Sequence, residues 1–479
     1  MTRRRALLLA TPALLAAPGV LRAQSLTIRQ DDFVAPGWTR GVLIRWGDRV
    51  TFDAPPWTPQ QPTAEAAGAQ FGWDARMVAV VTPGPQSDGV PRALLVVAHP
   101  TVNAAMAFPG GRDVPAIAGA MQGVSIVNLE RRGRNWEVVD GGFQNRRLTA
   151  TTLCRMGADG GPVAGIAGVT GGCATPWGTL LLAEGGAAEW RQRLPGLDAN
   201  AVGMLVEVDP SDPSFVPVKH AATGRFGPVD AAAALSEDGR AVVWMTDGRP
   251  GGYLYRFVSD GTAGIGALDA GRMAAARIEG GNLRWVTLPQ GNPMAAARDA
   301  GATAFDGAAG LAYEARRKRL CVAIRGGAGR VLDIRMAAGN AAADTAIAEV
   351  LVEGREAPVQ PTRRNEAPAA VPAWPWAPAT LGFDGDGALL IGTDRGARPG
   401  ALPEAFYRVP AEGGAPALVV ATPVGAAAGG AAVAPDGTVL AAIAHPGATP
   451  GANWAQPATR WPNMQPDEPP RSTIVTLAR

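Results

Sequence analysis

This chain predicts an all-β fold of repeated small sheets, on three observations. Short strand–turn–strand units recur at irregular spacings of tens of residues, several turning on Asp-Gly. No long apolar stripe of 3.6-residue period separates them. Strand–helix alternation is thereby disfavoured, leaving a β-propeller as the favoured architecture and a β-sandwich with long loops as the alternative.

The units run in chain order. Glu237-Asp238-Gly239-Arg240 leads into the apolar strand 241–245, Asp384-Gly385-Asp386-Gly387 into 388–391, and Pro435-Asp436-Gly437 into 438–441. Glycine after aspartate supplies the positive φ that a tight hairpin needs. Tyr313-Glu314-Ala315-Arg316, turning into 319–323, lacks that signal. Two stretches rich in Pro and Trp, 355–378 and 446–470, cannot be central strands, because proline removes ladder donors. They cover a sheet edge or cap a pocket.

The 479 residues suffice for a substantial core, and 47% hydrophobic with 18% charged residues is a globular composition. A net charge of +2 gives no reason to expect nucleic acid or an anionic membrane as partner. Arg3-Arg4-Arg5, an apolar run from Ala6 to Val20 and Leu21-Arg22-Ala23 make residues 1–23 a twin-arginine-type signal peptide. The run is short and broken by Pro12 and Pro18, so no membrane span is expected once it is removed. The mature protein, 24–479, is expected in the periplasm or secreted, as one domain and as a monomer. Cys154, Cys173 and Cys321 fit either one disulfide with a free thiol or three buried thiols, and match no zinc spacing.

The segment Gly171-Gly172-Cys173-Ala174-Thr175-Pro176-Trp177-Gly178-Thr179, continuing to Glu184, resembles the core motif of the PhoX-type alkaline phosphatases (the DUF839 family), N-C-A-G-G-x-T-P-W-G-T-x-L-T-C-E-E. Phe71-Gly72-Trp73 resembles that family's F-G-Y-N-x-D segment, Asn145-Arg146-Arg147-Leu148-Thr149 its N-R-R-I-T, and Gly224-Arg225-Phe226 its G-R-F. The resemblance implies a six-bladed β-propeller with inserted loops. It also implies phosphoester hydrolysis at a cluster of calcium and iron held by carboxylates and a cysteine. Hard cations with oxygen ligands neutralise the phosphate and the leaving group.

Position by position, most of those donors are replaced. Pro100 stands for the carboxylate of N-H-E, Thr170 for the cysteine, Gly185 for the second glutamate, and Val229 for the glutamate of H-E-G. Asp230 lies one residue out of register, which on a strand turns the side chain to the other face. Gly248, Gly307, Ala309 and Ala379 complete the series. Glu184 and Asp247 survive in register, either as a single weak calcium site or in hydrogen bonds to loop amides. Calcium is thus the cofactor left to consider, with none expected otherwise. His99 reads as a satisfied histidine at a strand end, His445 as a turn former, His220 as a surface residue and Cys173 as a buried thiol. No G-x-S-x-G, P-loop or HExxH occurs.

Three functions are compatible with these residues. The first is an exported binding protein that has lost phosphatase activity and takes a small molecule or a periplasmic or surface partner. The second is a working phosphatase or phosphodiesterase rebuilt from Glu184, Asp247, Asp230, Asp306 and Cys173. The third is a one-calcium lactonase-like hydrolase.

Overall fold

Leu180, Leu181 and Leu182 are consecutive and all buried, and they show how the sheets stack. Side chains alternate across a strand, so Leu180 and Leu182 meet Val96 and Ala98 on one side while Leu181 meets Val243 and Tyr255 on the other. The pattern continues round the molecule. Val242 and Trp244 meet Leu320 and Val322, Cys321 meets Leu389 and Ile391, Leu390 meets Val439 and Ile443, and Leu440 and Ala442 meet Leu95 and Val97. Every sheet is covered on both faces, which is why its second strand reads as an unbroken apolar run.

The computed structural model describes residues 25–84, 88–359 and 371–479; the signal segment 1–23 and part of the 355–378 insertion lie outside them. Its inner strands are Arg76–Val81, Gly171–Ala174, Asp230–Leu235, Ala308–Glu314, Pro378–Phe383 and Ala427–Val433. Each touches the next, and the last touches the first. From each, the chain runs outward through antiparallel neighbours, for example Arg92–His99 and Gly123–Arg132 beyond Arg76–Val81. The third and fourth of these sheets join into one of nine strands where Asn282–Thr287 pairs with Thr345–Glu353. The inner strands are pressed close together: a Cβ on Gly382 would stand 2.3 Å from the Ala431 carbonyl oxygen, and one on Gly429 2.2 Å from that of Ala75.

The strand Thr39–Arg45 pairs with Thr473–Ala478, which pairs in turn with Val439–Ala444, so the two ends of the described chain complete one sheet. Gly239, Gly387 and Gly437 hold the expected hairpin turns with φ of 80°, 80° and 86°. Without Asp-Gly, the 315–318 turn still joins its strands, with Lys318 taking φ 52°. Trp376 and Trp461 of the Pro/Trp-rich stretches are buried against sheet residues, and the Trp461 indole donates to Asp32. In both places the indole seals a sheet. Among the described residues, no helix is long and apolar enough to cross a membrane.

Candidate functional site

One residue follows directly on the second strand of each sheet: Pro100, Glu184, Asp247, Arg325, Asp394 and His445. The inner strands begin at this same end, because each pairs antiparallel with its second strand. These residues therefore gather at one mouth of the ring. A cavity of about 700 Å³ opens there.

Pro100, Thr170, Val229, Gly248, Ala309 and Ala379 all line this cavity. They are six of the positions at which the resemblance places replaced donors. The space has also closed around some replacements. A Cβ on Gly185 would stand 2.3 Å from the Thr170 hydroxyl, and one on Gly248 2.8 Å from Val229 Cγ1. The Thr170 hydroxyl donates to the Val229 carbonyl.

Several of the cavity's charges, Asp74, Arg76, Arg325 and Asp394, come from residues the sequence did not single out. Arg76 Nη2 donates to Asp394 Oδ2 at 2.8 Å, and Arg325 Nη1 lies 3.6 Å from that same oxygen. Asp394 Oδ1 accepts from the Gly396 amide. Asp74 Oδ1 accepts from His445 Nδ1 at 3.0 Å and from the Ala75 amide. Burial opposes the charge on both carboxylates, but Arg76 and Arg325 pull Asp394 far below its ordinary range, and His445 holds Asp74 low. Burial likewise opposes protonation of His445, and Asp74 outweighs it, raising the imidazole's pKa. The signal that reaches Arg325, Asp394 and His445 is their place one residue past a recognisable hairpin strand. Arg76 opens the first inner strand, three residues past Trp73.

Asp230 also lines the cavity, on the third inner strand. It accepts from the amides of Gly172, Ala231 and Leu311. Burial pushes its pKa up to about 7 in spite of those bonds. Cys173 lines the cavity too and is half-buried, with burial and then the Asp230 charge pushing the thiol well up. A thiol so raised is no nucleophile. Cys154 and Cys321 are buried, and all three cysteines are free.

Glu184 and Asp247 sit at the mouth but do not line the cavity. Both Glu184 oxygens are taken, Oε1 by Lys219 Nζ at 2.8 Å and the Ala167 amide, Oε2 by the Gly203 and Met204 amides. Asp247 is gripped by Arg249, at 2.7 Å to Oδ1 and 2.6 Å to Oδ2. Asp306 is likewise absent from the lining, so Asp230 and Cys173 are the members of the rebuilt set that reach it.

His220 corrects the surface expectation. It is fully buried, between Glu207 Oε2 at 3.1 Å and Asp269 Oδ1 at 2.7 Å. A reading of isolated residues gives no hint of two carboxylates brought from a neighbouring strand and a distant turn. Glu207 is itself fixed by the Thr-Pro-Trp-Gly-Thr turn, through Thr179 Oγ1 at 2.6 Å and Trp177 Nε1 at 2.8 Å. That motif lies at the far end of its hairpin from the cavity and works as a brace. His99 is a buried histidine at a strand end, against Ser125 Oγ at 2.8 Å and the Asp74 carbonyl. Burial and then the Arg147 charge keep it neutral.

A calcium–iron cluster does not fit the residues present. Calcium takes about 6–8 oxygen ligands, and the cavity offers Pro, Val, Gly and Ala at the inherited positions. Among the described residues, no group of three or more His, Cys, Asp or Glu side chains converges as an ion's ligands would.

The fold and site together define an all-β protein whose sheets enclose one polar-lipped cavity. The family model for alkaline phosphatase PhoX matches residues 23–319, and the chain belongs to the PhoX alkaline phosphatase family. It is similar to the solved structure of Pseudomonas fluorescens PhoX in complex with vanadate, a transition state analogue, at 23% identity. That match covers 95% of this chain and 97% of the other, with a TM-score of 0.81. A protein of unknown function from Dyadobacter fermentans follows at 13% identity, 93% and 100% coverage and TM-score 0.39. A gluconolactonase from Xanthomonas campestris has 8% identity, 85% and 98% coverage and TM-score 0.33. Likenesses as weak as these last two carry no argument. No curated protein matches.

Proposed function

We propose that this chain is a six-bladed β-propeller, exported and freed of residues 1–23, that binds a small molecule in its cavity and does not hydrolyse phosphoesters. The observation that carries the reading is the cavity lining: six inherited donor positions reach it, and none presents a free donor. Removing one charge-stabilising donor from such a transition state costs about 10²–10³-fold in rate. Several losses together are not additive but leave little to measure. The six blades follow from the closed cycle of inner strands, and export from Arg3-Arg4 with the apolar run.

The test is hydrolysis of p-nitrophenyl phosphate by purified mature protein with Ca²⁺ and Fe³⁺ supplied, expected at background. Turnover that a Glu184→Gln, Asp247→Asn double variant abolishes would establish a rebuilt site and sink the binding reading. Calcium at Glu184 and Asp247 remains the proposal for any metal, and it would have to displace Lys219 and Arg249. Elemental analysis of protein from the native compartment, expected free of stoichiometric calcium and iron, decides it. Intact mass of the exported form should begin near Gln24, and size-exclusion should report a monomer. Deleting 472–479 removes the strand that closes the ring, and its Tm should fall sharply.

A further inference from the structure

Two guanidinium groups share one carboxylate oxygen at the mouth of the cavity. Arg76 and Arg325 stand 2.8 Å and 3.6 Å from Asp394 Oδ2. The other acid beside them, Asp74, is matched by His445 at 3.0 Å. One carboxylate oxygen is thus shared by two guanidinium groups, and Glu189 and Asp230 are the other acids on the lining. Donors are left over. Among the described residues, Arg76's guanidinium makes its one hydrogen bond to Asp394. Arg325's makes none, with 43% of its side chain exposed. Asp230, on the third inner strand, spends its oxygens on three main-chain amides and is attracted to Arg76 without forming an ion pair with it. Deeper in, Val78, Val80, Leu311 and Leu381 line the walls.

We propose that the cavity takes a monoanionic carboxylate with an apolar body, its carboxylate held by Arg76 and Arg325 and its body along the valine and leucine walls. The inference rests on the reading of the cavity as a binding site. Guanidinium is a planar fork that matches a carboxylate two bonds at a time. Asp230 and Glu189 on the same lining oppose a second negative charge, so a monoanion is favoured over a dianion. About 700 Å³ falls within the usual range of small-molecule pockets. Arg76 thus supplies cationic charge that needs no metal.

The experiment is calorimetric titration of the metal-free mature protein with octanoate, beside octanol, octylammonium and inorganic phosphate. Octanoate should bind one to one, and the other three at least tenfold more weakly. Arg325→Gln should lower octanoate affinity at least tenfold with Tm little changed, since the half-exposed Arg325 guanidinium makes no hydrogen bond and only a 3.6 Å ion pair in the fold. Arg76→Gln should lower it further. If that variant misfolds, Arg325→Gln decides alone. Octanol binding as tightly as octanoate, phosphate binding more tightly, absence of octanoate binding, or an Arg325→Gln variant with wild-type affinity would each overturn the proposal. Metal-dependent hydrolysis of p-nitrophenyl phosphate would remove the binding-only reading. The octanoate titration, run without metal, would still report separately.

Discussion

Glu184 and Asp394 hold the same place in their sheets, the first residue past the second strand, yet one is closed off and the other faces the cavity. The same contrast divides the ring. In the second and third sheets, Glu184 and Asp247 are spent on Lys219 and Arg249. In the fourth, fifth and sixth, Arg325, Asp394 and His445 line the cavity. Lys219 comes from the strand Val218–His220, two strands outward from Glu184, and Arg249 from the turn beside Asp247. A long cationic side chain from the same sheet can neutralise a mouth carboxylate before the cavity is reached. A residue's place past its strand therefore does not by itself decide whether it faces the cavity.

The largest effect that could break this contrast lies at the buried pair. Lys219→Met leaves Glu184, fully buried, without its cation, and loss of one partner of such a pair costs about 3–5 kcal/mol. Thermal unfolding should shift strongly, and adding Glu184→Gln should recover much of the loss. A Lys219→Met protein with wild-type Tm, stabilised by added calcium, would show that Glu184 is a metal ligand after all.

Next comes the filled space at the mouth end of the third sheet. Gly248→Ala forces a methyl against Val229, and overpacking of this kind costs about 1–3 kcal/mol. The Val229→Ala, Gly248→Ala double variant should be more stable than Gly248→Ala alone. Equal Tm values for the two would deny that these positions have adjusted to each other.

His220 gives a pH signature to the same arc. Burial works against its charge, but Asp269 and Glu207 prevail and raise its pKa above the ordinary 6.5. Its stabilisation is full below pH 6.5 and fades as pH rises through the folded value. The Tm gap between wild type and His220→Gln should thus be wider at about pH 6 than at about pH 9. A gap that widens with rising pH would mean that His220 is neutral in the fold. The smallest effect belongs to Asp247→Asn. Arg249 is half exposed, so water replaces its partner and the cost should be about 0.2–1 kcal/mol by chemical denaturation.

Much of the fold was legible because its signals are local. Asp-Gly turns at 238–239, 386–387 and 436–437 set hairpins through φ alone. The mouth residues were half legible. The hairpins at 319–323, 388–391 and 438–441 were recognised, and Arg325, Asp394 and His445 lie a few residues beyond them. What went unread was which way each would turn. Cys173 and Asp230 reach the cavity, whereas Glu184, Asp247 and Asp306 do not.

By itself, then, the sequence determined the all-β class, the hairpin grammar and the family, because each is written in neighbouring residues. Only the tertiary structure decided the partners of the charges. Asp74 meets His445 and Arg76 meets Asp394 across hundreds of residues, and His220 sits between acids from two other segments. A buried charge takes the counter-charge that the packed sheets bring within reach, and that choice is made by ring geometry rather than by distance along the chain.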